Sequence, residues 1–262
     1  DGWRRARGGG KAGERVRAPV LLATPGGERL LSEVAVPLEL DALVPPGPGA
    51  AAGESAWEVE IGFGKGRYLL RRALAEPRTR LLGIELAGEY FRLLVTRARR
   101  RGVKNLLAIR GEAQTVLAAV LPHGFARAVH VYFPDPWPKA RHERRRLLDA
   151  ESVDLVLLLL APGGTLWFAT DYLDYGEAVA ALLASHPAAT VRRRPTGWDE
   201  GPRTNYEAKY IAEGRPILRL EVTWKGGEGV TALHPAGRRR VLAAYRPGPD
   251  ESGWPEAGER GA

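Results

Sequence analysis

The 262-residue chain contains no cysteine, which excludes a disulfide framework, a thiolate nucleophile and any cysteine-ligated zinc or iron–sulfur site. Methionine is absent as well, and only six of the 39 cationic side chains are lysine. The five histidines (His123, His130, His142, His186 and His234) are scattered without a ligand spacing, so no metal is expected. No apolar run approaches the roughly 18 residues of a membrane span; the best, Leu155 to Ala161, is far shorter. No secretory pattern opens the chain. The expectation is a soluble, cytoplasmic protein without a membrane partner.

What is abundant is arginine. Lys plus Arg is 39 against 31 for Asp plus Glu, a formal charge of +8, and such a balance favours a polyanionic partner. The excess is concentrated. Arg92 to Arg110 contains seven cations and no acid, and Lys139 to Arg146 contains five against the single Glu143. Phosphate is the natural counterpart, although a solvated helix face is the ordinary reading of any one such run.

Residues 1–56 read as an N-terminal extension: Gly8-Gly9-Gly10, Pro25-Gly26-Gly27 and the stretch Pro45 to Gly53 interrupt short apolar clusters, leaving room for one or two strands and a linker. From Trp57 the pattern turns regular. Strands are predicted at Trp57–Ile61, Leu81–Glu85, Leu106–Arg110, Ala128–Phe133 and Thr165–Ala169, with helices at Arg67–Ala75, Gly88–Arg101, Ala113–Val120, Arg144–Leu160 and Tyr172–Ser185. Strands alternating with helices imply an α/β fold with a mostly parallel, doubly wound sheet. A strand at Pro216–Trp224 follows without a long crossover and is expected to be antiparallel. Residues 57–224 thus form the expected main domain, and 225–262 a basic tail, poorly ordered alone, with at most a short helix at Arg239–Tyr245.

Glu58-Val59-Glu60-Ile61-Gly62-Phe63-Gly64-Lys65-Gly66 runs from a strand into a glycine loop that opens a helix. In a parallel sheet that loop lies at the carboxyl edge, where ligands bind. Gly62 and Gly64 let backbone approach a ligand, and Gly66 is expected to let helix pack on strand. A dinucleotide loop would be spaced G-x-G-x-x-G around a pyrophosphate; this one is G-x-G-x-G, which argues against NAD. The next strand ends in Glu85, placed to accept from ribose hydroxyls. The third leads to Gly111-Glu112-Ala113, whose acid suits an adenine amino group. Together they outline a pocket for a nucleoside without phosphate, and S-adenosylmethionine is the commonest such cofactor.

The most informative segment is Phe133-Pro134-Asp135-Pro136-Trp137-Pro138-Lys139-Ala140-Arg141-His142-Glu143-Arg144-Arg145-Arg146. Prolines fix their own φ and push their predecessors toward extended backbone, so Asp135 sits on a stiff loop. Trp137 could stack on a base, and Lys139, Arg141 and Arg144 to Arg146 could hold RNA phosphates. This string resembles the signature of the tRNA (guanine-N7)-methyltransferase family. Ala169-Thr170-Asp171-Tyr172 and Thr204-Asn205-Tyr206-Glu207-Ala208-Lys209-Tyr210 are similar to the family as well. The resemblance covers Trp57 to Trp224.

It implies a Rossmann-like class I S-adenosylmethionine-dependent fold and methyl transfer to N7 of the variable-loop guanine, position 46, of tRNA, leaving S-adenosylhomocysteine. It places Glu60, Glu85, Glu112 and Asp135 at the cofactor, with Asp135 the active-site acid. Lys139, Asp171 and Thr204 to Glu207 fall at the substrate, and Arg141 is grouped with them. Guanine N7 already presents a lone pair, so the reaction needs alignment and no general base. Positive charge develops on the ring, and a carboxylate on the base edge is favoured more in the transition state than before it; Asp135 is assigned that role, with Asp171 and Glu207 as further acceptors. One departure is Glu112, where the family usually has Asp. The rival readings are an enzyme of the same fold on another RNA or a small molecule, and a non-catalytic RNA-binding protein with a relic pocket. A monomer or a homodimer is compatible with the sequence.

Overall fold

The structure, a computed structural model, describes residues 21–46, 56–136 and 146–226. Most of the expected linker, the basic string 137–145 with Lys139 and Arg141, and the tail with its expected helix at 239–245 lie outside the described residues.

The described residues begin with a hairpin, β1 (Leu21–Thr24) and β2 (Gly27–Leu30), and a single helical turn, α1 (Leu40–Leu43). Then come β3 (Trp57–Ile61), α2 (Arg67–Ala75), β4 (Arg80–Glu85), α3 (Gly88–Arg100) and β5 (Leu106–Arg110). A short α4 (Ala113–Thr115), continued by a π-helical turn at Val116–Val120, leads to β6 (Ala126–Tyr132), α5 (Ala150–Leu159), β7 (Leu160–Thr170) and α6 (Leu173–Ala184). The last elements are β8 (Ala189–Arg193), α7 (Asn205–Ala212) and β9 (Leu218–Trp224).

The nine strands of the described residues form one sheet in the order β2-β1-β5-β4-β3-β6-β7-β9-β8. The five strands from β5 to β7 are parallel, while β9 is antiparallel to β7 and the hairpin adds to β5 antiparallel through β1. The chain leaves β3 toward β4 and β5, then returns to β6 on the other side. That reversal makes the carboxyl ends of β3 and β6 the crevice where a ligand seats.

Helical spacing explains the layers. Phe91, Leu94, Val95 and Ala98 line the buried stripe of α3, and Tyr68, Leu69, Leu70 and Ala73 that of α2. These two cover one face of the sheet; α5, α6 and the Val116–Leu121 turn cover the other. Helix α5 starts from a reciprocal cap, Ser152 N–H to Asp149 Oδ1 at 2.9 Å and Asp149 N–H to Ser152 Oγ at 2.8 Å.

Four local features depart from the expectations, the first being the helix predicted at Arg144–Leu160, which begins only at Ala150. Strand β8 was not predicted: its ATVRR sequence has no buried residue, and it forms only because β9 offers an open edge. β7 begins at Leu160, five residues early, its register irregular opposite Ala126 and Ala128, with Gly163 at φ +83°. The predicted helix at Ala113–Val120 is only partly α-helical.

Candidate active site

The glycine loop leaves β3 with three residues at positive φ: Gly62 at +74°, Gly64 at +51° and Gly66 at +66°, a backbone that L side chains rarely adopt. A Cβ on Gly62 or Gly64 would meet nothing within 4 Å, so the loop borders open space. Gly66 differs. A Cβ there would come within 2.6 Å of Leu94 Cδ1, so this glycine lets the loop pack on helix α3; the expectation of helix on strand is corrected.

Two acids, Glu85 and Glu60, meet at the loop. The Glu85 carboxylate accepts from Gly64 N–H at 2.8 Å and from Ala87 N–H at 2.9 Å, which leaves lone pairs over. Glu60 is buried beside it, with no hydrogen-bond partner for Oε2. Burial, with Glu85 adding repulsion against one backbone hydrogen bond from Leu69, pushes the Glu60 carboxyl up to about 8, so it holds a proton at neutral pH. A buried, half-satisfied acid below an open glycine loop suits a ligand that brings a donor or a positive charge. Glu112 stands at the N-cap position of α4 without a side-chain cap bond; Thr115 Oγ1 donates to its Oε2 at 2.8 Å, and the longer side chain is half-buried.

Asp135 stands at the other side of the crevice, exposed, three residues past β6. The turn is set by Phe133, the only non-glycine among the described residues with positive φ, at +51°. Its N–H donates to Ala169 O at 2.7 Å, and its ring meets Tyr210 edge-on at 5.4 Å. Such a conformation costs about 1–3 kcal/mol and persists where the surroundings enforce it. Arg146 Nε donates to Pro136 O at 3.0 Å, joining residues ten positions apart in the chain.

The remaining predicted residues come from β7 and α7. Asp171 follows β7 and is paired with Arg215, whose guanidinium lies 4.0 Å from the Tyr210 ring centre. Thr204 is the cap of α7, its hydroxyl accepting from Glu207 N–H at 3.1 Å. Asn205 is exposed and accepts from Arg67, which joins α7 to the helix that follows the glycine loop. Tyr206 is also exposed, at 54%. Glu207 is placed differently: it is fully buried, and its carboxylate accepts from Trp198 Nε1 at 3.0 Å, Arg203 N–H at 2.8 Å and Arg219 Nε at 2.6 Å. Its carboxylate acts as the strut of the segment that presents Thr204 to Tyr206.

Sequence reasoning did not single out Arg203, Trp198, Arg215 or Arg219. Arg203 packs 4.5 Å from the rings of both Trp167 and Trp198 and donates to Tyr132 OH at 2.7 Å. Tyr132 OH lies 2.8 Å from His130 Nδ1, and His130 Nε2 lies 3.5 Å from Glu58. Burial lowers the His130 pKa, so the ring is neutral. Glu58 stays ionised despite burial because His130, Arg72 and Arg127 hold its carboxyl well below the usual range. A lone Arg before Thr204 carries no motif; only the fold brings it to Tyr132. Among the described residues no group of His, Asp and Glu forms a metal site, and no helix is long and apolar enough to cross a membrane.

Known proteins bear on this geometry. Residues 55–220 match a family model described as "Putative methyltransferase". A tRNA (guanine-N(7)-)-methyltransferase of Nitrosococcus oceani is 38% identical over 162 residues, 62% of this chain and 69% of that protein. One from Nocardia farcinica is 42% identical over 164 residues, 62% of this chain and 60% of that protein. Among solved structures, the 16S rRNA methyltransferase KamB superposes with a TM-score of 0.56 at 14% identity over 79% of this chain and all of its own, a likeness of fold alone.

Proposed function

Because the chain belongs to the tRNA (guanine-N7)-methyltransferase family, we propose that it transfers a methyl group from S-adenosylmethionine to N7 of the variable-loop guanine of tRNA. The observation that carries the reading is the pairing, across one crevice, of an acid-lined glycine loop with Asp135 on its strained proline turn. S-adenosylmethionine, when bound, supplies an electrophilic methyl on a sulfonium.

Each residue's part follows from its place. Gly62 and Gly64 leave room for the cofactor over the loop, and Glu60 meets a cationic group with the oxygen that lacks a partner. Glu85 accepts from the ribose while keeping Gly64 in place. Glu112 accepts at the base end, reaching with a side chain one methylene longer than Asp. Asp135 holds the guanine edge, so that N7 is aligned and the charge developing on the ring is stabilised. Asp171, Thr204, Asn205 and Tyr206 receive the nucleotide, and Glu207 holds them in position. Lys139 and Arg141 are assigned to RNA phosphate from the family signature. Residues 57–224 are the proposed methyltransferase domain, with 1–56 as extension and 225–262 as tail.

The test is to incubate the protein with radiolabelled S-adenosylmethionine and unmodified tRNA and to map the label by borohydride and aniline cleavage. A break at the variable-loop guanine is the expected result. Label elsewhere in the RNA overturns the substrate assignment.

A further inference from the structure

The sheet face under α2 holds a second hollow that the methyl-transfer reading does not use. It is a cavity of about 690 Å³ between α2, the β6 and β7 strands and residues 200–203. Its floor is the register row Glu58, Ala128 and Thr165. That row lies four residues short of Tyr132 at the end of β6, or roughly 13 Å below the carboxyl edge at about 3.3 Å per residue. The floor is therefore set apart from the glycine loop and from Asp135, while His130, Trp167 and Arg203 carry the upper wall toward the carboxyl edge.

Its walls carry two more cations than acids. Arg71, Arg72, Arg127 and Arg203 face it with Glu58 and Glu200, while His130 is neutral. The arginines keep donors to spare. Arg72 gives Nε and Nη2 to Glu58, at 2.9 and 2.8 Å, and faces Glu76 at 3.7 Å. Arg127 gives Nε and Nη2 to Glu58, at 3.1 and 2.7 Å, and Nη2 also reaches Thr79. Arg71, on an exposed turn of α2, makes one long bond of 3.4 Å to Pro202 O. A guanidinium has five N–H groups, so each of these three has more donors than these bonds use. Glu58, doubly bridged, cannot neutralise the cluster. Three forks converging on one hollow match a tetrahedral oxyanion better than any neutral ligand.

We propose that this cavity is a second binding site, which takes a phosphate group. Two sources share that chemistry: the backbone of the RNA substrate, in which case the site extends the proposed function, or a free phosphate compound. Arg203 links the site to the reaction crevice, since the same guanidinium that lines the cavity donates to Tyr132 OH beside the Asp135 turn.

Inorganic pyrophosphate titrated calorimetrically into the full chain at low salt tests the site without relying on methyl transfer. Saturable binding is expected, weakened at least about tenfold by the double substitution Arg71→Gln, Arg127→Gln, as the loss of charge-assisted bonds requires. S-adenosylmethionine should bind the variant as it binds the parent, which confirms the fold. Arg127→Gln leaves Glu58 with one fewer partner; should it fail to fold, Arg71→Gln alone, on an exposed residue, is expected to weaken binding about threefold or more. Pyrophosphate bound equally by parent and variants, or by none of them, overturns the proposal. If Arg71→Gln also weakens unmodified tRNA, the phosphate is the RNA's; if tRNA binding is unchanged while pyrophosphate binding falls, the ligand is a free phosphate compound. A failed methyl-transfer assay leaves the pyrophosphate result standing.

Discussion

Glu85 Oε2 accepts from the N–H of Gly64 at 2.8 Å, so the acid that ends β4 also holds the loop that ends β3. Two halves of one pocket are thereby locked together before any ligand arrives. The loop's open side and the spare lone pairs of Glu85 are products of the same bond. Replacing Glu85 with Ala should therefore cost more than a ligand contact, because Gly64 N–H loses its acceptor. S-adenosylhomocysteine binding, read by calorimetry, is expected to weaken roughly 10–100-fold, in line with about 1.5–3 kcal/mol for a hydrogen bond to a charged group.

Asp135→Asn separates binding from turnover. The side chain is exposed and lies across the crevice from the loop, so cofactor affinity should stay within a few-fold. The methylation rate should fall about 100-fold or more, the scale of losing one preorganised electrostatic partner. Single-turnover assays with unmodified tRNA measure the rate; an unchanged rate removes Asp135 from the reaction.

Glu60 makes the protein sensitive to pH in a specific direction. Its carboxyl titrates at about 8 in the folded chain against 4.5 ordinarily. Between those values the native state holds a proton that the unfolded chain has lost, so Glu60's contribution to stability declines as pH rises through that window. Glu60→Gln should flatten the dependence, which urea midpoints from pH 5 to 8.5 would show. A cationic ligand at Glu60 favours the ionised form. Binding of S-adenosylmethionine at pH 7 should then release a proton, visible as a buffer-dependent calorimetric enthalpy.

Glu207→Ala should act on stability. The carboxylate is buried with Arg219 at 2.6 Å, and removing it leaves that cation, itself buried, without its partner. A loss of about 3–5 kcal/mol is expected, seen as a lowered urea midpoint, with loss of tRNA binding accompanying it. A stable variant that only loses tRNA affinity would make Glu207 a direct contact.

Gly83→Ala tests how the loop is seated. A Cβ would come within 2.4 Å of Leu69 Cδ2 and 2.7 Å of Phe63 Cδ1, both part of the packing behind the glycine loop. Overpacking of this kind costs about 1–3 kcal/mol, and thermal unfolding together with cofactor affinity should report it.

Much of this protein was legible in its residues taken in order. The strands at Trp57–Ile61 and Leu106–Arg110 and the helix Arg67–Ala75 stand where the apolar periodicity put them. The candidate acids Glu60, Glu85 and Glu112 could be named because each lies at or just past the end of its strand, and chain order alone carries a strand's end to the carboxyl edge of a parallel sheet. Local signals of this kind need only a few neighbours: a glycine pair, a proline bracket, a period of two or 3.6.

What only the tertiary structure decided depends on residues far apart in the chain. Gly66 turned out to make room for Leu94, 28 positions later, and β8 exists only as an edge for β9. The Thr-x-x-Glu position suggests a substrate acceptor at Glu207, yet its carboxylate is occupied by Trp198, Arg203 and Arg219. The four arginines of the second cavity come from α2, β6 and the approach to α7. A side chain's partners are set by whichever elements pack against it, and burial makes those partners obligatory. No spacing along the chain records either one.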